Sequence, residues 1–210
     1  MFRPTASMFA IMAAIVAGTA FAEMSSGPVH ECFSQTQLKR LLRTKIETIE
    51  EMASSQTIID AVRKQNRSSL SPAKIKQIDA EWIQTNDHTP FKTSLQENTV
   101  GKYFQSLINF NESIYNEAFL TDRRGANIAA YPATTDFWQG DEEKWIASFN
   151  DGSGDVYVGN IEFDESTQTI AIQISVPVMD EGEAIGVLIV GVKLTYIQAK
   201  YLKLKENPPP

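Results

Sequence analysis

The chain is poor in the residues that usually announce chemistry. It has one cysteine, Cys32, so no disulfide can form within the chain and none staples the fold. Its two histidines, His30 and His88, sit in stretches that read as loops, and no zinc spacing or haem-attachment motif surrounds them. Positive charge is also scarce: 19 Lys and Arg stand against 26 Asp and Glu, a formal net charge of −7. Nucleic-acid binding requires a basic surface, so that class of partner is excluded. No nucleophile elbow and no Gly-rich phosphate loop occurs, which argues against an enzyme, a hydrolase included, and no cofactor is expected.

Long apolar runs are missing after the start of the chain. Met8 to Ala20 is apolar or small, follows Arg3, and leads to Ala20-Phe21-Ala22, a small-x-small cleavage pattern. Residues 1–22 are therefore expected to be an export signal, with 23–34 a linker. The later candidate, Ala184 to Val192, is short and glycine-interrupted, as a buried strand would be. The expectation is an exported soluble protein, periplasmic in a Gram-negative source, with no membrane span once the signal is cleaved.

What is present divides into two halves. With 210 residues, 42% of them hydrophobic, the chain can bury one substantial core. Leu38, Leu41, Leu42, Ile46, Ile49 and Met52 recur at three- and four-residue steps, predicting an amphipathic helix from about Gln35. Gln56 to Arg67 continues it or forms a second. Ser71-Pro72 supplies a cap and a first-turn proline for a helix over Ala73–Gln84, with Ile75, Ile78, Trp82 and Ile83 as its apolar positions. A further helix is predicted from Phe91 to about Phe110.

Beyond Ser113 the period falls to two. Five strands are predicted, Tyr115–Thr121, Asn127–Tyr131, Val156–Phe163, Thr169–Val178 and Ala184–Leu194, separated by turn-forming residues. A polar-aromatic crossing, from Asp136 to Trp145, separates the second and third. Thr195–Glu206 reads as a short helix before a proline-rich end, 206–210. Asp151-x-Ser153-x-Asp155 imitates a calcium loop, but Val156 stands where such a loop needs glycine, so no metal site is expected.

A long N-terminal helix, Phe119-Leu120-Thr121-Asp122-x-x-Gly125, the Tyr131-Pro132 strand end, the tryptophan segment, Ile174-Ser175-Val176-Pro177-Val178 and Ile185-Gly186-Val187-Leu188 follow one another in order. Together they resemble the single Cache (PDC, PAS-like) extracytoplasmic sensor domains, from the first helix to about Leu194, within an expected domain of residues 35–205. That resemblance implies an α+β fold: a five-stranded antiparallel sheet (114–194) with a long helix from the helical half (35–111) packed on one face; the C-terminal helix, 195–205, is read from the sequence pattern alone. It also implies a small ligand, a carboxylate, amino acid or amine, held on the other face under the segment after the second strand. Family members usually lie between two membrane spans; this chain has none predicted, so a membrane receptor or kinase partner is implied, with a homodimer as a further option. The aromatic-arginine pattern of the amino-acid-binding members is absent from the crossing.

Strand alternation refines the expected site. Ile170, Ile172, Ile174 and Val176 share one face of the fourth strand, while Ala171, Gln173, Ser175 and Pro177 share the other. The first set should pack on the long helix and the second should line a wet pocket. Tyr131, Tyr157, Gln173 and Ser175 are then wall residues, with Trp138, Lys144 and Trp145 as a roof, and Lys144, Tyr131, Tyr157 and Ser175 as donors to a carboxylate. The rival expectation is an interaction or scaffold protein without a physiological small ligand.

Overall fold

The computed structural model describes residues 33–68, 70–85 and 89–206. The expected signal segment, most of the linker, His30, Cys32, His88 and residues 207–210 lie outside them.

Among the described residues five helices come first: α1 (Gln35–Ala53), α2 (Gln56–Arg67), α3 (Pro72–Ile83), α4 (Pro90–Glu97) and α5 (Thr99–Phe110). Each of four starts at a capping side chain. Ser34 and Gln37 form a reciprocal capping box on α1, and Ser71 accepts from the Lys74 amide of α3 at 3.2 Å, just before Pro72. Thr89 does the same for Lys92 of α4. The single helix expected from Phe91 to Phe110 is instead two. Asn98 closes α4 in extended geometry, and its Oδ1 accepts from the Val100 and Gly101 amides to start α5. The bend brings the Leu95 carbonyl against Gly101, where a Cβ would collide with backbone.

The sheet comprises β1 (Tyr115–Asp122), β2 (Asn127–Tyr131), β3 (Tyr157–Asp164), β4 (Thr169–Asp180) and β5 (Glu183–Lys193). All neighbours are antiparallel, in the order β2-β1-β5-β4-β3. This is the α+β, five-stranded antiparallel sheet expected, with the long α1 on one face. Between β2 and β3 lies α6 (Glu143–Phe149), and β5 runs directly into α7 (Leu194–Glu206).

The inner face carries the main core. Leu42 and Ile49 of α1, Ile58 and Val62 of α2, and Phe104 of α5 pack with Leu120, Ile172, Ile174, Leu188 and Val190. All are sealed from solvent, and burying each large aliphatic contributes ~1.5–3 kcal/mol. Ile172, Ile174 and Val176 join this core as alternation predicts. Ile170, at the strand's open end, is 38% exposed, and Ile83, expected on the apolar face of α3, is 57% exposed. A second apolar group, Ile75, Trp82, Leu95, Ala126 and Phe137, joins α3 and α4 to the crossing.

Candidate functional site

The outer face of the sheet is covered at one end and hollow at the other. At the covered end Trp145 and Phe149 of α6, stacked with centroids 4.6 Å apart, pack on Phe119, Ala130, Val187 and Ile189. At the hollow end, a cavity of about 300 Å³ opens between the sheet and the crossing segment.

Its floor depends on a glycine. Glu117 of β1, Gly191 of β5 and Gln173 of β4 stand in register across three strands. Because Gly191 has no side chain, Gln173 Nε2 reaches over it to donate to Glu117 Oε1 at 2.6 Å. A Cβ at Gly191 would lie 2.8 Å from Glu117 Cγ, too close for unrelated carbon atoms. Glu117 is 3% exposed. Burial, then the nearby Asp164, push its carboxyl up to about 7, and Gln173, Lys144 and Ser166 offset this only in part. Asp164 is held by Asn116 Nδ2 at 2.7 Å, by Thr167 Oγ1 at 2.5 Å and by Ser166 at 2.8 Å.

The roof is fixed by parts of the chain distant in sequence. Asp79 Oδ1 on α3 accepts from the Phe137 and Trp138 amides at 2.9 and 3.0 Å. Trp82 Nε1 donates to the Thr134 carbonyl at 2.8 Å, and Asn127 Nδ2 to Thr134 Oγ1 at 2.8 Å. The Gln139 amide donates to the Gly125 carbonyl at 2.8 Å, tying the roof to the β1–β2 turn. Within this roof Gln139 Nε2 donates to Asp136 Oδ1, while Gln139 Oε1, in a side chain 1% exposed, has no partner among the described residues. Burial, then Glu142, push Asp136 up to about 7 as well.

The charge of the lining is lopsided. Glu117, Asp136, Asp164 and Glu162 are joined by Glu142, Glu143 and Glu165, and Lys144 is the one cation among the described lining residues. Lys144 Nζ contacts Glu142 Oε2 at 2.6 Å and lies 5.4 Å from the Phe119 ring centre. Tyr157 stands beside Glu143; burial and that contact raise its phenol.

Of the residues expected to form the site, Lys144, Tyr157 and Gln173 line the cavity. Four are not brought to it. Tyr131 packs against the inner core. Trp138 packs on the α3 group and donates Nε1 to the Arg124 carbonyl at 2.7 Å. Trp145 caps the covered end, and its Nε1 has no partner among the described residues. Ser175 lies on the outer face but is fully buried, its hydroxyl likewise unpartnered. Glu117, Asp136 and Gln139 were not anticipated. A glutamate on the same face of β1 as Phe119, two residues away, was the available signal for the first.

No family model matches the chain, and no curated protein does. Among solved structures it is similar to the sensor domain of the V. cholerae histidine kinase DctB, with 16% identity over 80% of this chain and 57% of that one and a TM-score of 0.40. The ligand-binding domain of the Campylobacter jejuni chemoreceptor Tlp3, in complex with 4-methylisoleucine, gives 16% identity over 79% and 62%, with a TM-score of 0.40. The E. coli DcuS sensor domain gives 15% identity over 76% of this chain and 98% of that one, with a TM-score of 0.39. The chain spans about three fifths of the length of the first two. Each is a likeness at low identity, and the ligand in the Tlp3 structure is that protein's own.

Proposed function

We propose that the chain is an exported sensor domain that takes a small organic ligand into the outer-face cavity and passes its occupancy to a partner protein, such as a membrane receptor or kinase. The observation that carries this reading is the cavity itself: about 300 Å³, floored by buried polar side chains and roofed by a segment held from α3. Ligand sites are concave, preformed and supplied with a few fixed polar groups, and this one has all three properties. The export signal expected in residues 1–22 supports a place outside the cytoplasm; among the described residues no helix is long and apolar enough to cross a membrane.

The charge of the lining weighs against the carboxylate-bearing ligand expected from the sequence. Seven carboxyls and one ammonium line the cavity, and a further carboxylate would meet like charge at short range. The donors expected for it are also dispersed, since Tyr131 and Ser175 are absent from the lining.

A thermal-shift screen of organic acids, amino acids and amines tests this function, run in parallel on Thr135→Trp, which fills the cavity from an exposed lining position. A ligand at a hundredfold excess over its Kd should stabilise the native protein by ~2.7 kcal/mol, and Thr135→Trp should remove the shift. A shift that survives the substitution would place the ligand elsewhere.

The interaction reading has one observation of its own. Phe163 and Ile170, paired across β3 and β4, are 55% and 38% exposed, and β3 is an edge strand. Edge strands with exposed apolar side chains are templates for pairing. Co-purification of a stable partner that Phe163→Ser abolishes, with no small-molecule shift, would favour it.

A further inference from the structure

We propose that the cavity takes an organic ammonium cation and that the Lys144 side chain is its tethered stand-in, occupying the acidic space when no ligand is bound. The inference rests on the reading of the cavity as the ligand site and names the chemical class that the site accepts.

Three independent features point to a cation. The first is the surplus of carboxyls in the lining, which one ammonium cannot neutralise. The second is an acceptor without a donor: Gln139 Oε1, buried in the lining, has no partner among the described residues. Its orientation is fixed, because Nε2 of the same amide is committed to Asp136. A buried acceptor left unpaired is costly, and an N–H donor from a ligand would satisfy it. An incoming carboxylate would bring none.

The third feature is where Lys144 lies. Its side chain is 15% exposed, its ammonium pairs with Glu142 at 2.6 Å, and the Phe119 ring stands 5.4 Å away at the cavity floor. It also lowers the carboxyls of both Glu117 and Asp136, so its charge is felt at floor and roof alike. An alkylammonium on a four-carbon stem therefore already rests between carboxylates and an aromatic face, the environment in which organic ammonium groups are recognised. Lysine is a flexible point charge and can leave without dismantling the site. Among the described residues no three of His, Cys, Asp and Glu are arranged to hold a metal ion, which favours an organic cation.

Lys144 would thus set the threshold for the site. A ligand ammonium gains the carboxylates only by displacing one that is covalently present, so the lysine lowers affinity for cations and excludes those too weak to compete. Displacement would free the second residue of α6, a helix of seven residues without a side-chain cap, whose Trp145 and Phe149 grip the covered end.

The test is isothermal calorimetry at pH 8 with four matched four-carbon probes, butylamine, 1,4-diaminobutane, 1-butanol and succinate, and with calcium chloride. Wild type, Lys144→Met and Thr135→Trp are compared. The expected result is binding of one or both amines, tightened about tenfold or more in Lys144→Met and abolished in Thr135→Trp, with the other three probes silent. Amines silent in the wild type but bound by Lys144→Met support the proposal equally. Succinate or calcium bound in preference, amine binding weakened by Lys144→Met, or silence of the amines in both proteins would overturn it. Succinate bound by the wild type and lost in Thr135→Trp would overturn the ammonium class yet leave the cavity as the ligand site. Amine bound as well by Thr135→Trp would overturn both.

Discussion

Gln173 on β4 and Glu117 on β1 are not neighbours in the sheet, yet they share a 2.6 Å hydrogen bond across the intervening β5. The bond exists because Gly191 leaves the space between them empty. It joins two of the strands that line the cavity, the third being β3.

Gly191→Ala should therefore disturb the site from beneath. The added Cβ would press on Glu117 Cγ and on the Asn116 side chain, both buried. Overpacking of this kind costs ~1–3 kcal/mol. Urea denaturation should show a lower midpoint with an unchanged slope, and ligand binding should weaken with it.

Stability should fall as pH rises towards neutrality. Glu117 and Asp136 each titrate at about 7 in the folded protein, above the ordinary carboxyl range. Between the ordinary value and about 7 the native state holds protons that the unfolded chain has released, so stability declines through that window and is flat above it. Glu117→Gln keeps the acceptor for Gln173 and removes the titration. At pH 8 it should be the more stable protein, by on the order of 2 kcal/mol, and near pH 4 the two should agree. Melting curves at both pH values check this, and an unchanged pH profile in the variant would refute it.

A bound cation should reverse that trend. Ammonium groups favour ionised carboxylates, so amine affinity should rise with pH through about 7 and binding should release protons. Calorimetry in buffers of different ionisation enthalpy reads the protons directly.

Asp79→Ala should unseat the roof while sparing the sheet. It removes the acceptor of two amides, Phe137 and Trp138, in a segment whose Phe137 side chain is buried. Each unsatisfied buried amide costs ~1–3 kcal/mol. Hydrogen exchange should accelerate at those two amides and little in β4 and β5, and ligand affinity should fall.

Ser175→Ala should do the opposite of a usual core substitution. The hydroxyl is fully buried with no partner among the described residues, so removing it removes a desolvation penalty. The variant should match or exceed the wild type by up to ~1 kcal/mol, with ligand binding unchanged. Lost ligand binding would return Ser175 to the site.

The strands were readable because a period of two and turn residues are local properties; β2 occupies Asn127–Tyr131, the span alternation predicts. The helix break at Asn98 was not readable, since it needs the Leu95 carbonyl to approach Gly101, and that follows from how α4 and α5 pack. The same divide runs through the site. Gln173 follows from alternation on β4, and Lys144 from its place in the crossing. Glu117 required knowing that β1 and β4 flank β5, a fact of topology. The tryptophans misled for a physical reason. An indole N–H finds its partner wherever the fold offers one, and Trp138 finds the Arg124 carbonyl, away from the cavity.

Strand β5, which carries Gly191 beneath the cavity, enters α7 without a linker. Through Tyr201 against Phe33 at 5.2 Å and Lys200 on Thr44 at 3.0 Å, α7 is fastened to the residue just before the α1 cap and to α1 itself. The roof hangs from α3. A molecule gripping both surfaces would therefore bear on β5 and, through it, on the seam between α1 and α7. A spin label on each side of that seam would register occupancy at a distance from the molecule that caused it.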